Sequence, residues 1–511
     1  MLTFVLRRLV ASFFVLLGAS FIIYNLAANS GDPLGDLREN PSPNRDALIA
    51  ARTDLLDLDV PSPLRYFLWL GGVFKVFIGQ IDLGKAIDGR EVNDLIANAA
   101  GQTIQLVTIA TIIAVLIGVS IGMTTALRQY SGYDYTVTFA SFLFFSLPIF
   151  FVAVLLKQYV AIGFNDFLVN PSIPPVLIVV LSLVSGFVWM SIIGGDPKPR
   201  LIVFGSATVI TAAVLVYLLA TDWFARPGLG IVLIAALGAL IAVLITSLST
   251  GLRNRRAFYS ALGMAVLGAA LWYPLQYVLT VSAPWWITIV LIVAFAVIGV
   301  VVGYVVGQND KPIVARGAGI TGGLVALLII VDRVMQVWPD YVTNTRGRPI
   351  ATVGAVTPGL QGSIWQGMLD SYTHLLLPTI AILLISVASY SRYSRYSRAS
   401  LLEVMNQDYV RTARAKGLTE RTVIMRHAFR NAMIPVATVI AFDVGGLIGG
   451  AVITETIFAW KGMGSVFQEA LNKTDLNPLM GFILITSILT VIFNMLADIL
   501  YSVLDPRIRV S

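Results

Sequence analysis

The chain has 511 residues, of which 57% are hydrophobic and 12% charged, and its formal net charge is +7. Soluble domains carry about 25% charged residues, so this composition predicts an all-α polytopic membrane protein whose basic excess marks cytoplasmic loops rather than nucleic-acid binding. Cysteine is absent, which excludes disulfides, thiolate metal sites and cysteine nucleophiles. The two histidines, His374 and His427, are too few for a histidine metal cluster.

A helix needs roughly 20 apolar residues to cross about 30 Å of hydrocarbon. Twelve runs meet this, near 5–28, 103–127, 137–161, 173–195, 200–221, 228–250, 257–280, 284–307, 315–337, 374–394, 432–454 and 479–502. The first follows Arg7 and Arg8 and ends at Ala27-Ala28, as a signal peptide does, but its apolar run exceeds the usual h-region and predicts a retained anchor.

Lysine and arginine set the orientation, because basic loops stay cytoplasmic. With Arg7 and Arg8 inside, even-numbered spans end inside. The inside loops then carry Arg128; Lys198 and Arg200; Arg253, Arg255 and Arg256; Lys311 and Arg316; and the basic segment after span ten. Outside loops of the middle region hold little beyond Arg226 near Asp222 and a turn ending in Trp285 and Trp286. Both termini are expected in the cytoplasm, including Asp505-Pro506-Arg507-Ile508-Arg509.

The loop from 29 to 102 lies outside on this count and has an acidic excess that includes Asp54, Asp57, Asp59, Asp88, Glu91 and Asp94. Tyr66, Phe67, Leu68 and Trp69 predict a small folded or interfacial segment rather than a tether. It serves either as a receptor contact or as a connector packed on the spans.

After span ten, Ser391 to Asn431 carries Arg392, Arg395, Arg398, Arg411, Arg414, Lys416, Arg421, Arg426 and Arg430 against Glu403, Asp408 and Glu420. Ala413, Ala415 and Leu418 supply small and apolar contact points before and after Gly417, and Val423, Ile424 and Phe429 do so further on. A glycine between two short amphipathic helices permits the positive φ that ends the first, and Thr419 can cap the second. The expected product is a helix–turn–helix elbow on the membrane surface, serving either as a docking loop for an external motor or as a basic pair resting on anionic lipid.

The run Asp408-Tyr409-Val410-Arg411-Thr412-Ala413-Arg414-Ala415-Lys416-Gly417-Leu418, followed by Arg426-His427-Ala428-Phe429-Arg430-Asn431-Ala432 and Pro435, resembles the EAA loop of bacterial ABC importer permeases, in the version of the dipeptide/oligopeptide permease family. Arg411, Thr412 and Ala413 stand where the general motif has Glu-Ala-Ala. Arg7-Arg8-Leu9, Gly31-Asp32-Pro33, Asp82-Leu83-Gly84 and Thr103-Ile104-Gln105-Leu106 match the same family in order. So do Gly449-Gly450-Ala451-Val452, Glu455-Thr456-Ile457-Phe458, Gly462-Met463-Gly464, Asn494, Asp498, Tyr501 and Asp505-Pro506-Arg507.

The resemblance covers roughly 1–160 and 370–511 and implies a six-helix type I permease core made of spans 1, 2, 3, 10, 11 and 12. The expected organisation is 1–162 and 346–511 as the core, with a coupling loop at 398–435, and 163–345 as an inserted six-helix membrane module. An even number of inserted spans returns the chain to the same side and preserves the core's topology. The insertion is read as a packing addition or as a partner-binding module.

The resemblance implies an ATP-driven importer of di- or oligopeptides, built with a second permease, two ATPase subunits and an extracytoplasmic substrate-binding protein in a bacterial cell membrane. No G-x-x-x-x-G-K-[ST] phosphate loop occurs, so no cofactor is expected on this chain, and ATP and Mg2+ belong to the ATPases. Tyr409, Arg411, Thr412, Ala413, Arg414, Ala415, Lys416, Gly417 and Leu418 would form the ATPase-coupling site. Span eleven offers Asp443, Gly446 and Gly450, with Gly445 and Gly449, as a pathway or gate; packing glycines and a satisfied interior aspartate are the competing reading. Nickel or another small solute is the alternative cargo. An ion-coupled secondary transporter would need inverted repeats and buried ionisable groups, which the sequence does not display.

Overall fold

The computed structural model describes residues 2–39, 41–128, 130–193, 196–280, 282–385, 399–418, 422–428, 432 and 452–504. Among these residues the chain is helical, and the only β-pairing is an isolated antiparallel bridge between Lys85 and Glu91. Among the described residues, eleven helices are long and apolar enough to cross a membrane. The expected span at 432–454 lies almost wholly outside the described residues, and with it Asp443, Gly445, Gly446, Gly449 and Gly450.

The chain divides into two compact units, one formed by 1–157, 352–355 and 375–511, the other by 158–351 and 356–374. The first unit opens with α1 (Leu2–Ala28). Short helices follow in the connecting loop: α2 (Gly35–Arg38), α3 (Arg45–Leu55) and α4 (Ser62–Phe74), the last continued by a 3-10 turn over Lys75–Ile78. The loop is therefore a folded cap. Tyr66 and Trp69 are buried with Tyr24, Leu83, Val92, Ile96, Met463 and Met480 in one apolar core, whereas Phe67 and Leu68 point out.

The second spanning helix, α5 (Val92–Leu127), starts well before the expected 103. Extended Glu91 precedes it, and Asp94 in its first turn favours the helix N-terminus. That polar turn still buries Val92, Ile96 and Ala99, so it is helical without being lipid-facing.

Span three was expected as one helix over 137–161, and the structure corrects this. α6 (Gly132–Ser146) ends at Leu147, whose backbone is extended (φ −81, ψ 126) because Pro148 follows. The chain resumes as α7 (Ile149–Leu155), widens into a π-helical stretch over Leu156–Ile162 and continues as α8 (Gly163–Val169). The helix that can cross is Ile149–Val169.

The second unit holds α9 (Pro175–Ile193), α10 (Pro197–Ala220), α11 (Gly230–Ser249), α12 (Arg255–Val278), α13 (Trp286–Val306) and α14 (Lys311–Gln336), then short α15 (Trp338–Asn344). α14 is the most buried of the spanning helices. Ile234, Met264, Phe295, Val325, Ile329, Tyr341 and Trp365 form the unit's core. Close approach comes from small residues: a Cβ on Gly303 would lie 2.6 Å from Ala315 Cα and 2.7 Å from the Val314 carbonyl oxygen, so α13 and α14 touch backbone to backbone. Buried Asp332 accepts from the amides of Leu229 (2.7 Å) and Gly230 (3.1 Å), from Trp272 Nε1 (2.7 Å) and from Gln336 Nε2 (2.9 Å). It ties the start of α11 to α12 and α14.

α16 (Ile364–Ile385) begins ten residues before the expected 374. Its first half carries Gln366, Asp370 and His374, which lower its apparent hydropathy yet are buried. Asp370 accepts from Tyr341 Oη (2.9 Å), Thr357 Oγ1 (2.6 Å) and the Thr357 amide (2.9 Å). Residues 399–405 are helical, followed by α17 (Asp408–Ala415) and a π-helical turn over Val423–Ala428. The chain closes with α18 (Val452–Ile457), α19 (Met463–Asn472) and α20 (Leu476–Leu504).

Candidate functional site

α17 is a two-faced helix of eight residues. Val410 and Ala413, three apart and so on one face, are buried against Val423, with Val404 and Met405 alongside. Tyr409, Arg411, Thr412, Arg414, Ala415, Lys416, Gly417 and Leu418 are exposed. The elbow rests on a second apolar contact, Leu401 with Ala428 and Ala432.

The helix ends as the glycine requires. Lys416 closes the last turn, the Gly417 amide donates to the Arg414 carbonyl (2.9 Å), and the Leu418 amide reaches back to the Ala413 carbonyl (3.4 Å). This pair of bonds is a Schellman stop, and it needs a left-handed residue at its centre. Gly417 has φ +75, and a Cβ there would meet nothing within 4 Å. Thr419, the expected cap of the following helix, lies outside the described residues, as do Arg392, Arg395, Arg398, Arg421, Arg430 and Pro435.

The exposed face is basic. Arg411 stands 3.7 Å from Asp408 in an open ion pair, which holds little energy in water. Arg414 lies along Met405, with Nη1 3.5 Å from its carbonyl, and Thr412 Oγ1 donates to the Asp408 carbonyl (2.8 Å). Arg411, Arg414 and Lys416 outnumber Asp408 on this short segment. Of the nine coupling residues expected from sequence, Ala413 alone faces inward. It anchors the elbow, while Tyr409, Ala415 and Leu418 form the apolar part of the outer face.

Thr103, Glu455 and Gly462-Met463-Gly464 share no role by the sequence alone, and the structure brings them together. Glu455 is fully buried. Its Oε1 accepts from Thr103 Oγ1 (2.5 Å) and its Oε2 from the Gly464 amide (2.6 Å), while Thr103 Oγ1 in turn accepts from the Met463 amide (2.8 Å). Trp460 Nε1 adds a bond to the Gln102 carbonyl (3.2 Å). Residues 352 positions apart are thus locked at the start of α19. The available signal was a lone carboxylate inside an apolar run, beside a Gly-Met-Gly turn.

Beyond the spans, the cap carries its own electrostatics. The Arg90 guanidinium beside Asp88 and the Gly84 amide and Lys75 beside Asp82 hold those carboxyls below the ordinary aspartate range. Asp475, just before α20, runs the other way: burial pushes it up to about 6, against the bond it accepts from the Ile87 amide (2.7 Å).

Residues 312–510 match the family described as binding-protein-dependent transport system inner membrane component. The match begins in α14, inside the segment read as an insertion, and takes in the elbow and, of the Glu455 junction, Glu455, Trp460, Met463 and Gly464 but not Thr103. The chain is similar to the dipeptide transport system permease protein DppB of Escherichia coli K12, 46% identical over 141 residues, covering 28% of this chain and 41% of that protein. It is also similar to the oligopeptide transport system permease protein OppB of Mycobacterium tuberculosis, 37% identical over 158 residues, covering 31% of this chain and 48% of that protein. The matched region spans less than half the length of either relative. Through residues 312–510 the chain is therefore similar to the binding-protein-dependent transport system inner membrane components.

Proposed function

We propose that this chain is the permease subunit of an ATP-driven importer of di- or oligopeptides and that α17 is its coupling helix. The observation that carries the reading is the elbow: a short surface helix, fixed from below by Val410 and Ala413 and stopped at Gly417, with a basic and partly apolar outer face. It lies within the family match, and the similar proteins are named as dipeptide and oligopeptide permeases.

In this mechanism the chain pairs with a second permease, two ATPase subunits and an extracytoplasmic binding protein, with both termini in the cytoplasm. ATP and Mg2+ are held by the ATPases. The outer face of α17 lies in an ATPase groove, where Leu418, Ala415 and Tyr409 give apolar contact and Arg411 and Lys416 meet carboxylates. Closure of the ATPases moves the elbow, and because Val410, Ala413 and Val423 clamp it to its neighbours, the motion passes to the attached spans as a rigid-body switch. Asp443, Gly446 and Gly450 remain the proposed pathway residues. The module from 163 to 345 is a six-helix insertion in the sequence of the six-helix core.

The outer face separates docking from folding. Leu418→Glu, on an exposed side chain, is expected to abolish copurification with the ATPase while membrane expression is kept. An unchanged yield of ATPase with Leu418→Glu overturns the coupling role, and peptide uptake that continues without any ATPase overturns the importer.

A further inference from the structure

The cap contains a buried cation that the proposed function does not use. Arg65 of α4 is only 9% exposed, and its Nε and Nη1 have no hydrogen-bond partner. It stands beside the Tyr24 hydroxyl and lines a cavity of about 830 Å³. Six charged side chains line that cavity: Asp57, Arg65, Lys75, Asp82, Lys85 and Glu91. Four of them pair off, Lys75 with Asp82 at 3.1 Å and Lys85 with Glu91 at 3.6 Å. Among the described residues, Asp57 and Arg65 form no ion pair within 4.0 Å, with each other or with another side chain.

Apart from its hydrogen bond with the Tyr24 hydroxyl, the buried guanidinium leaves Nε and Nη1 unpaired, which is costly, and an anion that enters beside it removes the cost. Three features narrow the anion. The cavity is in the size range of small-molecule sites and far larger than an inorganic ion needs. Trp69, Phe67 and Leu68 give it an apolar wall for an organic body. Asp57, Asp82 and Glu91 on the same lining repel a second negative charge, which disfavours phosphate dianions and favours a single carboxylate.

We infer that this cavity binds a small organic carboxylate, with Arg65 as its counter-ion. The carboxylate belongs either to a free organic acid or to the C-terminus of a short peptide. The site does not depend on peptide import, since its ligand need not be the cargo.

The test uses the full chain purified in detergent, with tryptophan emission as readout and Trp69→Phe as the control for the reporter on the cavity wall. N-acetylglycine is expected to change the emission saturably, N-acetylglycinamide to leave it unchanged, and Trp69→Phe to remove the response. Arg65→Gln is expected to weaken N-acetylglycine by about tenfold or more, the loss of a charged hydrogen bond. Asp57→Asn keeps Arg65 and is expected to tighten binding, which tests the site even where Arg65→Gln fails to fold. Trialanine binding more tightly than N-acetylglycine assigns the site to peptide termini, and equal binding assigns it to free organic acids. Equal responses to acid and amide, no response in the unaltered chain, or full affinity in Arg65→Gln each overturn the inference.

Discussion

The interface of α13 with α14 and the Glu455 junction solve the same problem by opposite means. At the first, Gly299 and Gly303 let two backbones meet over Val314, Ala315 and Ala318. At the second, a fully buried carboxylate gathers Thr103 and the Gly464 amide from segments far apart in sequence. Lipid is as apolar as leucine, so apolar burial alone does not bring spanning helices together; close van der Waals packing and interhelical hydrogen bonds do. The first interface joins neighbours in the chain and needs only proximity. The second joins α5 to the turn before α19 and needs a fixed register, which directional bonds supply.

The largest effect is expected from Gly303→Val, which forces a side chain into the α14 backbone and costs about 3 kcal/mol. Hydrogen exchange should rise in α13 and α14 and stay unchanged around 452–464. Loss of protection at both places would break the contrast. Glu455→Ala leaves the Gly464 amide and Thr103 without their acceptor and should cost about 2 kcal/mol, whereas Glu455→Gln keeps one acceptor oxygen and recovers part of it. Exchange of the Gly464 amide reads this directly, and equal exchange in both variants would remove the carboxylate from the argument.

The smallest effect belongs to Asp475. Its folded pKa of about 6 stands above the ordinary value of 3.8, so the fold binds more protons than the unfolded chain between those values. Its contribution to stability is therefore complete below about pH 4 and lost as pH rises through 6. Asp475→Asn keeps an acceptor for the Ile87 amide and carries no charge. It should flatten the fall in melting temperature over that window and raise stability at neutral pH. A steeper fall in the variant would reverse the assignment.

Most spanning helices were legible because their apolar runs are uninterrupted, as in α9 to α14. The failures share a cause. α16 begins ahead of its apolar run because Gln366 and Asp370 have the hydropathy of a loop, whereas Tyr341 and Thr357 satisfy Asp370 inside the protein. α5 begins before its apolar run because Asn93 and Asp94 mask a turn whose other side is core. The break at Leu147 was written in the sequence as the residue before Pro148, and hydropathy overrode it. At the elbow, Gly417 was readable from its residue type, but the inward direction of Ala413 depends on where Val423 returns. Arg65 carried no signal at all, since one arginine in an acidic loop looks solvated until the loop folds around it.

The open space at Gly417 has a consequence for what chemistry that position accepts. A Cβ there meets no atom, so size is free and only the sign of φ is constrained. The position therefore selects on handedness rather than volume: a D-residue of any bulk would suit it as well as glycine does. Among the L-residues a gene can encode, none does, and asparagine comes nearest. The end of α17 is thus specified by a mirror-image preference, which the genetic code can meet in full only by leaving the side chain out.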